Sequence, residues 1–369
     1  MKKSLVAVAL LGAFAGVAQA QTAVQIYGNI DAGLVKRTDQ TLAIGKRASN
    51  TLGFKGTEDL GNGLKALFQI EMRYEPDTGT VENNTRPLFQ GQSRVGLQGD
   101  FGMIRLGRGL TPFQEVVGSF EPWHGLPSQA GFYTDISIAG FNSTPLDQGS
   151  TPAGAGQSNN RFSNAIFYNS PVLSGFQVNA AWASKEAISG GAAVNNGTVV
   201  GVDYFGGTRY ASGAAPTVNP FSVAATYNNG PAAAMLAYER NAVESKVWSV
   251  AGSFAVTPEL KLMGTYSRQS QEHTNTQRPV IKGAVLGATY AMGPGKVLAG
   301  FGIKQQEENV RLHDLFTRQY SLGYEYSLSK RTYVYIDASR KKNIVSQTTG
   351  NLASTPTVNH FDVGVNHSF

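Results

Sequence analysis

The sequence predicts an all-β fold: a transmembrane antiparallel β-barrel of about 16 strands. Three observations carry the barrel. Apolar and polar residues alternate along nearly all of residues 21–369, the period of a strand with one face on lipid and the other on water. Short turns rich in Gly and Asn alternate with long polar connections. The final run places Phe361, Val363, Val365, His367 and Phe369 on one face and Asp362, Gly364, Asn366 and Ser368 on the other. An aromatic last residue is what the closing strand of a bacterial outer-membrane barrel usually carries.

Residues 1–20 read as a cleavable export signal. Lys2 and Lys3 supply the positive start, 5–17 the apolar stretch, and Ala18-Gln19-Ala20 the cleavage site. The apolar run is shorter than the roughly 20 residues a spanning helix needs, so the mature barrel is expected over 21–369. No later run approaches that length, and no transmembrane helix is expected. In the first strand Val24, Ile26, Gly28, Ile30, Ala32 and Leu34 oppose Gln25, Tyr27, Asn29 and Asp31. A second, 51–60, meets a third, 64–74, across Gly61-Asn62-Gly63, and an Asn-Gly pair between alternating runs marks a hairpin. Alternation continues at 92–99, 103–109, 161–169, 175–184, 220–228, 232–240, 246–256, 260–269, 280–292, 296–304, 318–327, 331–340 and 358–369. An even count suits a closed wall, and closure matters because each unpaired backbone group in hydrocarbon costs several kcal/mol.

Composition agrees. Forty-three glycines suit many tight turns, and the absence of cysteine excludes a disulfide framework. The 31 basic residues, less Lys2 and Lys3, exceed the 25 acidic ones only slightly, without the concentrated patch that nucleic-acid binding requires. The five histidines, His124, His273, His313, His360 and His367, accompany no G-x-S-x-G, no H-E-x-x-H and no cysteine cluster. No enzyme, catalytic residue, metal or cofactor is expected.

The strings Gly53-Phe54-Lys55-Gly56-Thr57-Glu58-Asp59-Leu60-Gly61-Asn62-Gly63-Leu64-Lys65-Ala66 and Val95-Gly96-Leu97-Gln98-Gly99-Asp100-Phe101-Gly102 resemble general-diffusion porins of the β-proteobacterial type. So do Val24-Gln25-Ile26-Tyr27-Gly28 and the terminal Phe369. The resemblance implies a homotrimer of barrels in the bacterial outer membrane, passing small hydrophilic solutes and often preferring anions. It also implies a third loop in each channel. Alternation breaks after Gly109 for about fifty residues, a length that needs a purpose in a compact domain. Glu115, Glu121 and Asp135 lie there, with Phe120, Trp123 and Phe132 able to pack it against the wall.

Strand parity sends Arg37, Lys55, Lys65, Arg73, Arg94 and Arg105 to the polar face, while Arg108 is opposite to Arg105 unless the strand bends. Fixed Arg and Lys charge favours anions, and acids on the loop would set a field across the gap. The plainer reading is that these side chains only occupy a wet interior or pair with Glu71 and Asp59. Relatives often place arginine where this chain has Thr51, and another near Gln92, which weakens the basic ladder. A substrate-specific channel is the alternative, and a barrel hydrolase a remoter one. Phe369 is expected to serve as an assembly signal.

Overall fold

The computed structural model describes residues 23–38, 40–82, 87–141, 143, 160–184, 218–242, 244–270, 280–307, 315–345 and 357–369. The expected export signal and most of the long connections lie outside them. Among the described residues seventeen strands form one antiparallel sheet. In order they are β1 (Ala23–Arg37), β2 (Ala43–Gly45), β3 (Asn50–Gly61), β4 (Leu64–Tyr74), β5 (Gln92–Gly99) and β6 (Gly102–Leu110). Then come β7 (Arg161–Asn169), β8 (Phe176–Ala183), β9 (Phe221–Asn229), β10 (Ala232–Arg240), β11 (Lys246–Ala255) and β12 (Leu260–Ser270). The last are β13 (Val280–Met292), β14 (Gly295–Glu307), β15 (Leu315–Ser327), β16 (Thr332–Val345) and β17 (Thr357–Ser368). Both β2 and β3 pair with β1, at Gly33–Val35 and at Ala23–Asn29 respectively, so they are two pieces of one stave. The wall is therefore a 16-strand barrel, as the alternation predicts.

Alternation is visible in burial. Val24, Ile26, Ile30 and Leu34 are exposed, whereas Asp31 between them is fully buried. The same holds at the far end, where Phe361, Val363 and Val365 are exposed and His360, Asp362 and Asn366 are not. This is an inverted surface, with lipid rather than water on the apolar side. The turn after β3 passes through positive φ at Gly61, Asn62 and Gly63 (86°, 51° and 77°), which is why glycine and asparagine stand there.

Closure joins β1 to β17 from Asn29↔Ser368 to Arg37↔His360. Phe369 extends that ladder: its N–H donates to the Gly28 carbonyl and Gly28 N–H donates back, each at 3.1 Å. The ring lies over Gly28, where a Cβ would stand 2.4 Å from Phe369 Cζ and 2.5 Å from the Thr51 carbonyl. Gly28→Val is therefore expected to push the ring off the seam at a cost of about 1–3 kcal/mol. The barrel should convert to its heat-denatured gel mobility at lower temperature than wild type, and unchanged conversion would show that the seam tolerates the side chain.

After β6, residues 111–141 are not structureless. Thr111 accepts from Gln114 N–H and caps a short helix, α1 (Pro112–Val117), with proline in its first turn where no donor is needed. A 3-10 turn (Gly118–Phe120) and a π-helical turn (Tyr133–Ser137) follow. Phe113, Val117, Phe120, Tyr133 and Phe141 bury against Ala224, Met235, Ala237, Val247 and Ala251. Trp123, Phe132 and Ile136 bury against Val285 and Leu298. The apolar core thus sits where this segment meets β9–β14, with small strand residues making room for its aromatics. Full burial of each such ring contributes about 1.5–3 kcal/mol.

Candidate functional site

The basic residues of the early strands form a connected set. Arg94 Nε and Nη2 both donate to Gln69 Oε1, at 3.1 and 2.8 Å. Gln69 in turn donates to the Tyr27 hydroxyl at 2.7 Å, and that hydroxyl donates to Glu71 at 3.1 Å. Arg105 is buried, donates to Asn169 at 2.5 Å, and lies 5.8 Å from the Phe167 ring centre. Lys55 stays exposed with its ammonium 5.0 Å from the Tyr27 ring. Arg73 sits across from Thr51 in register, and Arg37 is buried at the far end of β1 opposite His360. Arg108 differs. A bulge at Gly107/Gly109 interrupts the β6–β7 register, and Arg108 pairs with the exposed Ser93 rather than sharing the face of Arg94. Its guanidinium donates to the Gln90 carbonyl at 3.0 Å and to Ser163.

The three loop acids have separate fates. Glu115, on α1, brings Oε1 to 3.8 Å from Arg94 Nη1. Burial pushes the Glu115 carboxyl up, and the charges of Arg105 and Arg94 pull it back. Asp135 is held between Lys304 Nζ at 2.5 Å and Lys341 Nζ at 2.8 Å. Burial works against its charge, but those two ammonium groups outweigh it and hold the carboxyl well below the usual range. Glu121 is fully buried, accepting from Trp123 N–H at 3.0 Å and Gly125 N–H at 2.7 Å. It caps its own turn.

Further contacts tie residues 111–141 to polar-face residues of the later strands. Phe113 N–H donates to Ser222 at 2.9 Å, Thr265 to the Phe120 carbonyl at 3.0 Å, and Ser339 to the Gln129 carbonyl at 3.2 Å. Gln319 Nε2 reaches the carbonyls of Ala130 and Gly131 at 3.2 and 3.0 Å. The Phe132 ring rests on Gly300, where a Cβ would come within 2.4 Å of it.

Sequence reasoning missed two arginines. Arg161 is fully buried at the start of β7, donating to the Gly91 carbonyl and to Asn160 at 2.6 Å each, with Arg73 and Arg108 near enough to act on it electrostatically. Arg47 lies in the break between β2 and β3, also fully buried. It binds Glu325 at 2.6 Å and Asp337 at 3.0 Å, and stands 4.8 Å from the Tyr335 ring. Its backbone N–H donates to Asp31 at 2.7 Å, so it brackets the interrupted stave to β15 and β16. Lys304 shares a face with Gly300 and Gly302, and the alternation of 296–304 could have found it.

Glu121 also gives a pH prediction. Burial raises its pKa from 4.5 to about 7 against the backbone donors of Gly125 and Trp123. A carboxyl raised on folding stabilises fully below its unfolded value and loses that contribution as pH climbs through the folded one. Wild type should therefore lose on the order of 3 kcal/mol relative to Glu121→Gln between pH 5 and 8. Parallel melting profiles of the two proteins across that range would contradict the assignment.

A family model described as Gram-negative porin matches residues 7–344. Outer membrane porin protein 32 of Delftia acidovorans is 30% identical over 366 residues, spanning 95% of this chain and 92% of that protein. An outer membrane porin protein of Bordetella pertussis is 26% identical over 400 residues, 93% of this chain and 95% of the relative. Among solved structures, the anion-selective porin from Comamonas acidovorans superposes with a TM-score of 0.70 at 23% identity, covering 95% of this chain and all (100%) of that one. OmpT of Vibrio cholerae in its trimer form gives 0.64 at 14% identity, covering 94% and 99%.

Proposed function

The chain belongs to the Gram-negative porin family, and from that premise we propose that residues 111–141 fold into the lumen as its third loop and narrow the channel to an anion-preferring gap. It is an outer-membrane porin, and its barrel is a water-filled path for passive diffusion of small hydrophilic solutes and ions. One observation carries the narrowing: Glu115 of the segment comes within 3.8 Å of Arg94 on β5, in the early-strand wall. The contacts of the segment with β9–β16 polar-face residues support the same reading. The gap lies between α1 and the wall of β3–β7.

The preference follows from the charge balance there. Arg73, Arg94, Arg105 and Arg161 face Glu71 and Glu115, while Glu121 and Asp135 are taken by their own partners. Guanidinium groups stay protonated at any relevant pH, so the excess is fixed. Lys55 extends the basic wall along β3, Arg37 lies farther along β1, and Arg108 acts from beyond the bulge through its nearness to Arg161. The anion-selective porin from Comamonas acidovorans shares this fold. Reversal potentials of the purified protein in a salt gradient across a planar bilayer test the reading. A potential of the sign carried by anions is expected, and one carried by cations would refute it.

Three further assignments accompany it. The working unit is a homotrimer in outer-membrane lipid, supported by the trimer form of the similarly folded OmpT. Residues 1–20 are removed on export, which the mass of the mature chain checks. Phe369 acts as the assembly signal, and its deletion should slow insertion into the outer membrane.

A further inference from the structure

The lipid-facing side of β13–β16 carries a pattern that conduction does not use. Three rows of outward residues cross these strands in register. The uppermost holds Ile303, Arg318 and Lys342. Below it run Leu286, Phe301, Tyr320 and Arg340. The lowest holds Ala288, Ala299, Leu322 and Ala338. Arg318, Arg340 and Lys342 are exposed, and Arg318 faces Lys342 directly across the pair. Like charges directly opposite on one sheet face are unfavourable in isolation. A lipid-facing Arg or Lys is also costly at midplane and tolerable only near an interface. These three lie at the end of β15 and β16 that feeds the long connections at 308–314 and 346–356, which on a barrel of this type is the outer rim.

Beneath the cations the face is hollow. The alanines of the lowest row leave a shallow, open depression, flanked by Leu286 (68% exposed), Tyr320 (57%) and Leu322 (59%) and reaching Arg340 at its upper edge. A purely lipid-solvated wall needs neither a recess nor a charge cluster over it. Together they have the form of an amphiphile: an apolar trough for an acyl chain, and cations where a headgroup phosphate would sit. Guanidinium groups match phosphate oxygens bidentately, and Tyr320 offers a ring whose polar tip suits the interface. Glu307, the one acid on the outward face of these strands among the described residues, is 2.5 Å from Lys282 and so does not neutralise the arginines.

We infer that the outer face of β13–β16 is a docking site for an anionic, phosphate-bearing lipid, with its phosphate on Arg318, Arg340 and Lys342 and an acyl chain in the hollow below. Such a lipid would pin this arc of the wall in the leaflet beside the long connections.

Native mass spectrometry of the full barrel in neutral detergent tests this with dimyristoyl phosphatidylglycerol and dimyristoyl phosphatidylcholine as probes. Wild type should retain the anionic lipid about a hundredfold better than the zwitterionic one, given the usual surface contribution from each of three cations. The combined Arg318→Gln, Arg340→Gln, Lys342→Gln variant should lose that preference. The combined Ala299→Phe, Ala338→Phe variant keeps the charges but fills the recess, and should retain less of both lipids. Heat-shifted gel mobility reports folding of each variant independently. Equal retention of the two lipids by wild type, or an unchanged preference in the glutamine variant, would overturn the site. Wild-type retention by the filled variant would remove the acyl trough. Full displacement of the lipid by inorganic phosphate would mark a free-anion site instead.

Discussion

Replacing Asp135 by alanine is expected to raise single-channel conductance and strengthen anion preference together. Asp135 divides its two oxygens between Lys304 and Lys341, whose side chains are only 2% and 8% exposed. Removing one partner of a buried ionic group costs about 3–5 kcal/mol, because the buried charge it faced loses that counter-charge. Here two cations are left side by side. The cheapest relief is for the π-helical turn Tyr133–Ser137 to lift away so that water and anions reach both ammonium groups. That movement widens the passage and adds positive charge to it. Asp135→Asn keeps the shape and removes only the charge, so it should reproduce the selectivity change with a smaller rise in conductance. A pH titration gives a sign check. Because the Asp135 pKa is depressed on folding, its contribution persists above the unfolded value and is lost only as pH falls below it. Wild type should therefore not acquire the Asp135→Ala behaviour at any pH above about 4. Unchanged conductance in Asp135→Ala would show that other contacts alone keep the segment in place.

The wall was legible because membrane strands obey one strong constraint. Lipid on one side and water on the other impose a period of two, so the runs at 51–60, 64–74 and 232–240 coincide with β3, β4 and β10 to within a residue or two. β2 was not legible, since three residues carry no period. Nor was α1: six residues cannot show helical periodicity, although Thr111-Pro112 is a recognisable helix start. Parity also put Arg94 and Arg105 on the polar face. What parity cannot supply is which charge is spent on a partner. Glu115, Glu121 and Asp135 look alike in sequence, yet one faces Arg94, one caps its own turn, and one is locked to lysines some 170 and 206 positions away. Arg47 escaped notice for the same reason. Its partners, Glu325 and Asp337, meet it only once the sheet has closed.

Reversing the charge of the early wall should reverse the ion preference. In the combined Arg94→Glu, Arg105→Glu variant, two cations become two anions beside Glu115, a swing of four charges in the narrow gap. Opposed charges about 4 Å apart interact by about 4 kcal/mol at the effective dielectric of a protein surface, and the gap is flanked by protein rather than open water. Even heavily screened, that swing exceeds the roughly 1.4 kcal/mol that separates tenfold differences in permeation. The permeability ratio should cross unity toward cations, read as a change of sign in the reversal potential. Each substitution also has an internal control. Arg94→Lys keeps the charge but cannot hold Gln69 with two donors, so it should leave the sign intact and alter conductance only. Arg108→Glu, across the strand beyond the bulge, should change the ratio far less than either member of the pair. If Arg108→Glu proved as potent as Arg94→Glu, net charge of the barrel rather than charge at the gap would govern selectivity. The narrowing by Glu115 and α1 would then have no part in choosing ions.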